Sequence, residues 1–171
     1  MLETLGVPVH DADAAVHEFM AENGRGNAAI RAAFPYFFYP KIYNKKFWTR
    51  HRSIDRAALG KIVFENPKER EKLEGILHPL VREEQKKFIR KWQAAGKEVL
   101  ALDIPLLFET GAEERVDYVL NASAPEFIQR RRVMERPGMS EEKFAAILAA
   151  QLPDGEKCAR ADFVIHTGLG R

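Results

Sequence analysis

The chain has almost no cysteine. Cys158 stands alone among 171 residues, which excludes a disulfide framework and a zinc–cysteine site within one chain. It reads as a small buried or half-buried residue. Long apolar runs are missing too, none approaching the roughly 20 residues needed to cross a bilayer. The opening residues, MLETLGVPVHDAD, carry neither a basic n-region nor a long apolar stretch, so a soluble cytoplasmic protein with no membrane partner is expected. Nor does charge of one sign dominate. Lys and Arg number 27 against 25 Asp and Glu, a formal net charge of +2. Bulk charge therefore argues against a nucleic-acid partner.

What is present supports one folded domain over 1–171. A hydrophobic fraction of 46% supplies a core, and this length fits a single domain with a small helical insert. The most informative stretch is EVLALDIPLLFETG, residues 98–111. Its run Val99, Leu100, Ala101, Leu102 lacks polar alternation and reads as a strand buried on both faces of a parallel sheet. Ligands of open α/β sheets lie beyond the carboxyl ends of the strands, which is where Asp103 and Glu109 fall. The alternative is a buried strand followed by an ordinary turn.

The rest of the chain alternates in the same manner. Val7–His10 is a short apolar strand, followed by helices over Ala14–Glu22 and Ala28–Phe34. Asp55 is placed to cap a helix over Arg56–Phe64. Asn66-Pro67 starts a long helix with Leu73, Ile76, Leu77, Leu80 and Val81 at helical spacing. Pro79 should kink or divide that helix, and Gly96 closes it. Further strands are expected over Glu98–Ile104, Val116–Leu120 and Phe163–Ile165. Ser123 should cap a helix running to Arg136, and Ser140 a second ending near Gln151. Pro153-Asp154-Gly155 reads as a turn. Four short buried strands interleaved with helices make a doubly wound α/β domain with a helical insert.

Several groups have chemistry to offer. Asp11 and Asp13 are two apart at a strand end. In extended chain such side chains point the same way, so both carboxylates would face one site. A helix cap by Asp13 is an equal alternative. Arg132 and Arg136 are four apart on an expected helix and share a face. They would clamp phosphate oxygens, or form a solvated basic face. His78, beside Pro79, reads as a capping or core histidine. Gln151 and Lys157 flank the Pro-Asp-Gly turn. The remaining histidines show no metal-ligand spacing.

Taken together, these motifs resemble the dephospho-CoA kinases, a family of P-loop kinases. The matching segments are LGVPVHDADAAVHE (5–18), IDRAALGKIVFENPKEREKLEGILHPLV (54–81), DIPLLFETG (103–111), QRRRVMERPGMS (129–140) and AAQLPDGEKCARADFVIHTG (149–168). The resemblance implies a P-loop kinase-like doubly wound parallel sheet with a helical insert over about 14–97 and lid-like helices over about 123–150. It implies transfer of the γ-phosphoryl group of ATP to the ribose 3′-hydroxyl of dephospho-CoA, with Mg²⁺, in coenzyme A biosynthesis. Asp13 resembles the base for that hydroxyl, with Asp11 beside it. Arg132 and Arg136 match the lid arginines. Arg56, His78, Leu106 and Glu109 match the acceptor side. Gln151 and Lys157 fall on the ATP side, and Asp103 where an acid would organise Mg²⁺.

Two departures carry expectations of their own. No G-x-x-x-x-G-K-[ST] occurs in these residues, and Met1 stands where the family's first helix would be ending. The central P-loop strand is then expected to be missing from this chain, leaving a sheet of low stability and little kinase activity; a non-catalytic remnant binding CoA-like ligands is the alternative. The second departure is PYFFYPKIYNKKFWTRHR, residues 35–52, rich in aromatic and basic residues. Such a mixture can bind single-stranded nucleic acid, but the near-neutral composition opposes it.

Overall fold

The computed structural model describes residues 2–43 and 54–168. Two compact units divide the chain, Met1–Pro105 and Leu106–Arg171.

In the first unit, β1 (Val9–Asp11) leads into α1 (Ala12–Met20). Helices α2 (Asn27–Ala33), α3 (Arg56–Glu65) and α4 (Pro67–Ala94) follow, and β2 (Ala101–Asp103) closes the unit. Strands β1 and β2 are parallel, with Val9 opposite Ala101, His10 opposite Leu102 and Asp11 opposite Asp103. The helix starts follow from their caps. The Asp55 carboxylate accepts the Ala58 N–H at 3.0 Å, and the Asn66 amide oxygen accepts the Lys68 N–H at 3.1 Å. At the far end of α4, Gly96 takes φ 74°. This left-handed turn lets the Gly96 and Lys97 N–H groups reach the Gln93 and Trp92 carbonyls.

The core of this unit is helical. Phe34, Ile30, Ile42 and Leu59 are fully buried, and Phe19, Met20, Tyr43, Ile54 and Leu77 pack with them. Each large apolar side chain buried this way contributes about 1.5–3 kcal/mol. The Tyr43 hydroxyl donates to the Phe34 carbonyl at 2.5 Å, and the Tyr39 hydroxyl to Glu69 at 2.8 Å. These bonds fasten the aromatic segment to the helices, while Phe37 and Phe38 stay exposed. Residues 44–53, which hold most of the basic part of 35–52, lie outside the described residues.

In the second unit, β3 (Leu120–Ser123) and β4 (Phe163–His166) are parallel, in register from Leu120–Phe163 to Ser123–His166. Helices α5 (Glu126–Met134), α6 (Glu141–Ala150) and α7 (Asp154–Arg160) connect them. Ser140 caps α6 as expected, its hydroxyl oxygen accepting the Lys143 N–H at 3.3 Å.

The structure corrects several expectations. The described strands form two two-stranded parallel sheets in place of a single doubly wound sheet. Residues expected in buried strands are also more exposed than that: Val99, which lies before β2, is 64% exposed and Phe163 in β4 56%. A strand paired on one side only keeps a bare edge, and β2 extends only as far as the three residues of β1. The strand expected over Val116–Leu120 lies at Leu120–Ser123. Asn121 is tolerated there because its amide donates to the Cys158 thiol sulfur at 3.3 Å. Pro79 does not divide α4; the apolar stripe from Leu73 to Val81 packs on the core on both sides of it. Ser123 does not cap α5. It ends β3, and its hydroxyl donates to Asp154 at 2.6 Å. Pro153-Asp154-Gly155 is not a turn but the start of α7, where Asp154 and Glu156 suit the helix dipole.

Candidate active site

The first unit holds five of the residues singled out from the sequence. Asp11 and Asp103 are register partners at the carboxyl ends of β1 and β2, with backbones about 4.8 Å apart and side chains on one face. Asp11 is also the cap of α1, its carboxylate accepting the Ala14 N–H at 2.8 Å. The expectation that Asp11 and Asp13 project together from extended chain, with Asp13 as the alternative cap, is therefore corrected. The chain turns helical at Ala12, Asp11 is the cap, and Asp13 sits exposed in the first turn of α1. An acid there is favoured by the helix dipole. Arg56 opens α3, and His78 lies midway along α4. Both are exposed, so His78 is neither a cap nor a core residue. Among the described residues no group of three or more His, Cys, Asp and Glu stands close enough to hold a metal ion.

The second unit holds the other six. Leu106 takes φ 58°, the only positive value among the described non-glycine residues. A leucine in that conformation costs about 1–2 kcal/mol, and such strain persists where the surroundings over-determine it. Glu109 and Lys157 form an ion pair at 2.9 Å, with side chains 14% and 19% exposed. The Leu152 N–H donates to the same Glu109 oxygen at 2.9 Å. Burial alone would push the Glu109 carboxyl up, but Lys157 and the Leu152 N–H hold it below the ordinary carboxylate value. Gln151 is the exposed residue after α6.

Arg132 and Arg136 do not share a helix face. Helix α5 ends at Met134, and the Arg136 N–H bonds to the Val133 carbonyl in a tighter turn. Arg136 is exposed. Arg132 reaches from α5 to the residue after β4, donating to the Thr167 carbonyl at 2.7 Å and the Thr167 hydroxyl at 3.2 Å. Thr167 is not among the residues singled out from the sequence; its place just past a strand end is the only local signal for it.

In the first unit parallel strands end in carboxylates, and in the second an arginine is drawn to a strand end; each feature by itself suits the handling of an anionic group. Comparison with known proteins decides the family. Residues 1–169 match the family model described as dephospho-CoA kinase. The chain belongs to the dephospho-CoA kinase family. A dephospho-CoA kinase of Mesorhizobium japonicum is 45% identical over 170 residues, covering 99% of this chain and 80% of the relative. One from Rhodospirillum rubrum is 45% identical over 170 residues, covering 99% and 76%. Among solved structures, a Thermus thermophilus protein aligns with a TM-score of 0.75 at 32% identity, covering 96% of this chain and 78% of that one. A Campylobacter jejuni dephospho-CoA kinase aligns with a TM-score of 0.63 at 29% identity, covering 99% and 80%. Dephospho-CoA kinases are transferases that phosphorylate dephospho-CoA at the expense of ATP. The α/β class and parallel strand pairing expected from the sequence agree with this membership. No described helix is long and apolar enough to cross a membrane.

Proposed function

We propose that the two units carry the acceptor and lid sides of a cytoplasmic dephospho-CoA kinase, as parts of one domain. The observation that carries this reading is the register that sets Asp11 beside Asp103, with Asp13 two residues on, where α/β sheets bind ligands. Asp13, exposed in the first turn of α1, takes the proton of the ribose 3′-hydroxyl as its oxygen bonds to the γ-phosphorus of ATP and ADP leaves. Asp11 holds the first turn of α1, and so Asp13, in place. Arg132 and Arg136 neutralise charge on the moving phosphoryl group. Arg56 and His78 in the first unit, and Leu106 and Glu109 in the second, are acceptor-side residues in this reading, and Glu109 is fixed by Lys157. Gln151 lies toward the nucleotide base.

Asp103 and Asp11 offer hard carboxylate oxygens of the kind Mg²⁺ takes with phosphates and waters. Bound there, the ion would neutralise charge on the β- and γ-phosphates. Residues 1–171 hold no G-x-x-x-x-G-K-[ST]. The reading expects dephospho-CoA to bind and to be converted to CoA with ATP.

The test is titration of the purified protein with dephospho-CoA, followed by conversion with ATP and Mg²⁺ and chromatographic detection of CoA. Asp13→Asn should leave dephospho-CoA affinity nearly unchanged and cut conversion by about 10²–10⁴-fold. A protein that neither binds dephospho-CoA nor forms CoA sinks the reading.

A further inference from the structure

Thr167 is held from three directions. Its N–H donates to the Ser123 carbonyl at 2.7 Å, continuing the β3–β4 ladder by one residue. Its hydroxyl donates to the same carbonyl at 3.0 Å. The following residue, Gly168, passes so close to Pro125 at the head of α5 that an added Cβ would meet Pro125 Cδ at 2.7 Å. No side chain larger than hydrogen fits there without movement, so Thr167 is pinned between the end of β3 and the start of α5.

These bonds decide what Thr167 can offer. A threonine hydroxyl has one proton and two lone pairs. The proton is committed to the Ser123 carbonyl, so toward Arg132 the hydroxyl acts only as acceptor. The Thr167 carbonyl accepts beside it, at 2.7 Å from Nη2 against 3.2 Å from Nη1 for the hydroxyl. Both terminal nitrogens of the guanidinium are therefore engaged at one fixed point. A guanidinium has five N–H donors in a planar fork. Two of them are used here, and the plane of the group is fixed by the two contacts.

We propose that Thr167 is a positioning residue for Arg132. It fixes the guanidinium so that the three remaining N–H donors face a phosphate group before that group arrives. The proposal rests on the reading of Arg132 as a phosphate-binding lid residue. The gain is preorganisation: a long, rotamer-rich side chain is ordered in advance rather than at the moment of binding.

Phenylglyoxal modification of arginines, mapped by peptide mass spectrometry, tests this with and without inorganic tripolyphosphate. Exposed Arg136, compared only in the absence of tripolyphosphate, is the internal control, and wild type is compared with Thr167→Val and Thr167→Ser. Tripolyphosphate should protect wild-type Arg132. In Thr167→Val, Arg132 should react about fivefold faster, in line with one lost hydrogen bond, and lose most of that protection. Thr167→Ser, which restores the hydroxyl, should behave as wild type, and Arg136 should react alike in all three. An unchanged Arg132 rate in Thr167→Val overturns the proposal, as does an equal rise at Arg136, which would signal general loosening. So does an absence of protection in the wild type, or full protection in Thr167→Val. Dephospho-CoA titration of the same samples keeps the two claims apart: a wild type that fails to bind dephospho-CoA counts against the acceptor reading and leaves the Arg132 result standing.

Discussion

His10 shows how one residue can work against its own fold. It sits in β1, is 7% exposed, and packs edge-on to Phe88 with ring centroids 5.4 Å apart. Neither ring nitrogen has a hydrogen-bond partner among the described residues. A buried, unmatched polar atom costs about 1–3 kcal/mol, whereas an apolar group of similar shape carries no such cost. His10→Leu is similar in volume and has no polar side-chain atom. It is expected to raise the free energy of unfolding by about 1 kcal/mol or leave it unchanged, read from urea denaturation. A loss of more than about 2 kcal/mol would mean that His10 has a polar role the contacts do not show. Nothing in the sequence warns of this, since a single histidine in a short apolar run does not declare which way its ring points. Asp11, one residue on, misleads in the opposite direction. Its spacing from Asp13 invites an extended reading, but the helix begins between them, and the cap is the first acid rather than the second.

At the scale of elements, the bond between Glu109 and Lys157 joins the DIPLLFETG segment to α7. Its effect on stability depends on pH with a definite sign. Lys157 and the Leu152 N–H outweigh burial and keep the folded-state carboxyl below its ordinary value of 4.5. The stabilisation is therefore complete above that value and is lost as pH falls through the folded-state value. Glu109→Gln removes the charge and leaves Lys157 without its partner, at a cost of about 1–3 kcal/mol near neutral pH. In urea denaturation the gap between wild type and variant should be wide at pH 7 and shrink steadily below pH 4.5. A gap of equal size at pH 7 and pH 3 would show that the pair contributes nothing through its charge. This element also marks how far the sequence could be read. Helices α3, α4 and α6 were legible because Asp55, Asn66 and Ser140 are local caps, and capping needs only residues two or three apart. Helix α7 was not, because Pro-Asp-Gly is as good a turn as a helix start, and the choice is made by Lys157 reaching Glu109, 48 positions away. Strand β3 was misplaced for the same reason: Cys158 and Asp162 hold Asn121 and Val119 from the far side of the unit. The acids at the carboxyl ends of β1 and β2 were legible from the strand pattern. The grip of Thr167 on Arg132 was not, since nothing in the spacing of 35 residues announces it.

For the whole molecule, the two units differ in how they are held. Among the described residues, the first gathers ten buried side chains around α1 to α4 into one cluster, with Phe34, Ile30, Ile42 and Leu59 removed from water altogether. The second rests on a two-stranded sheet in which Leu120 and Phe163, register partners, are 49% and 56% exposed. Tyr118 and Phe127 nearby in sequence are 72% exposed. A two-stranded ladder is marginal in water unless one face is well covered, and amide protection follows the apolar burial around each bond. Hydrogen exchange should therefore separate the units. Amides of α1 and of α4 around Leu77 should exchange through the largest opening energies in the chain. Those of β3 and β4 should exchange through openings smaller by about 2 kcal/mol or more, roughly the worth of one fully buried aliphatic side chain. Heating should release the second unit first, giving a broad transition rather than one sharp step. Equal protection in both units, with a single sharp melt well above ambient temperature, would show that the exposed face of β3 and β4 does not weaken the fold, and would overturn the expectation of low stability drawn from the sequence.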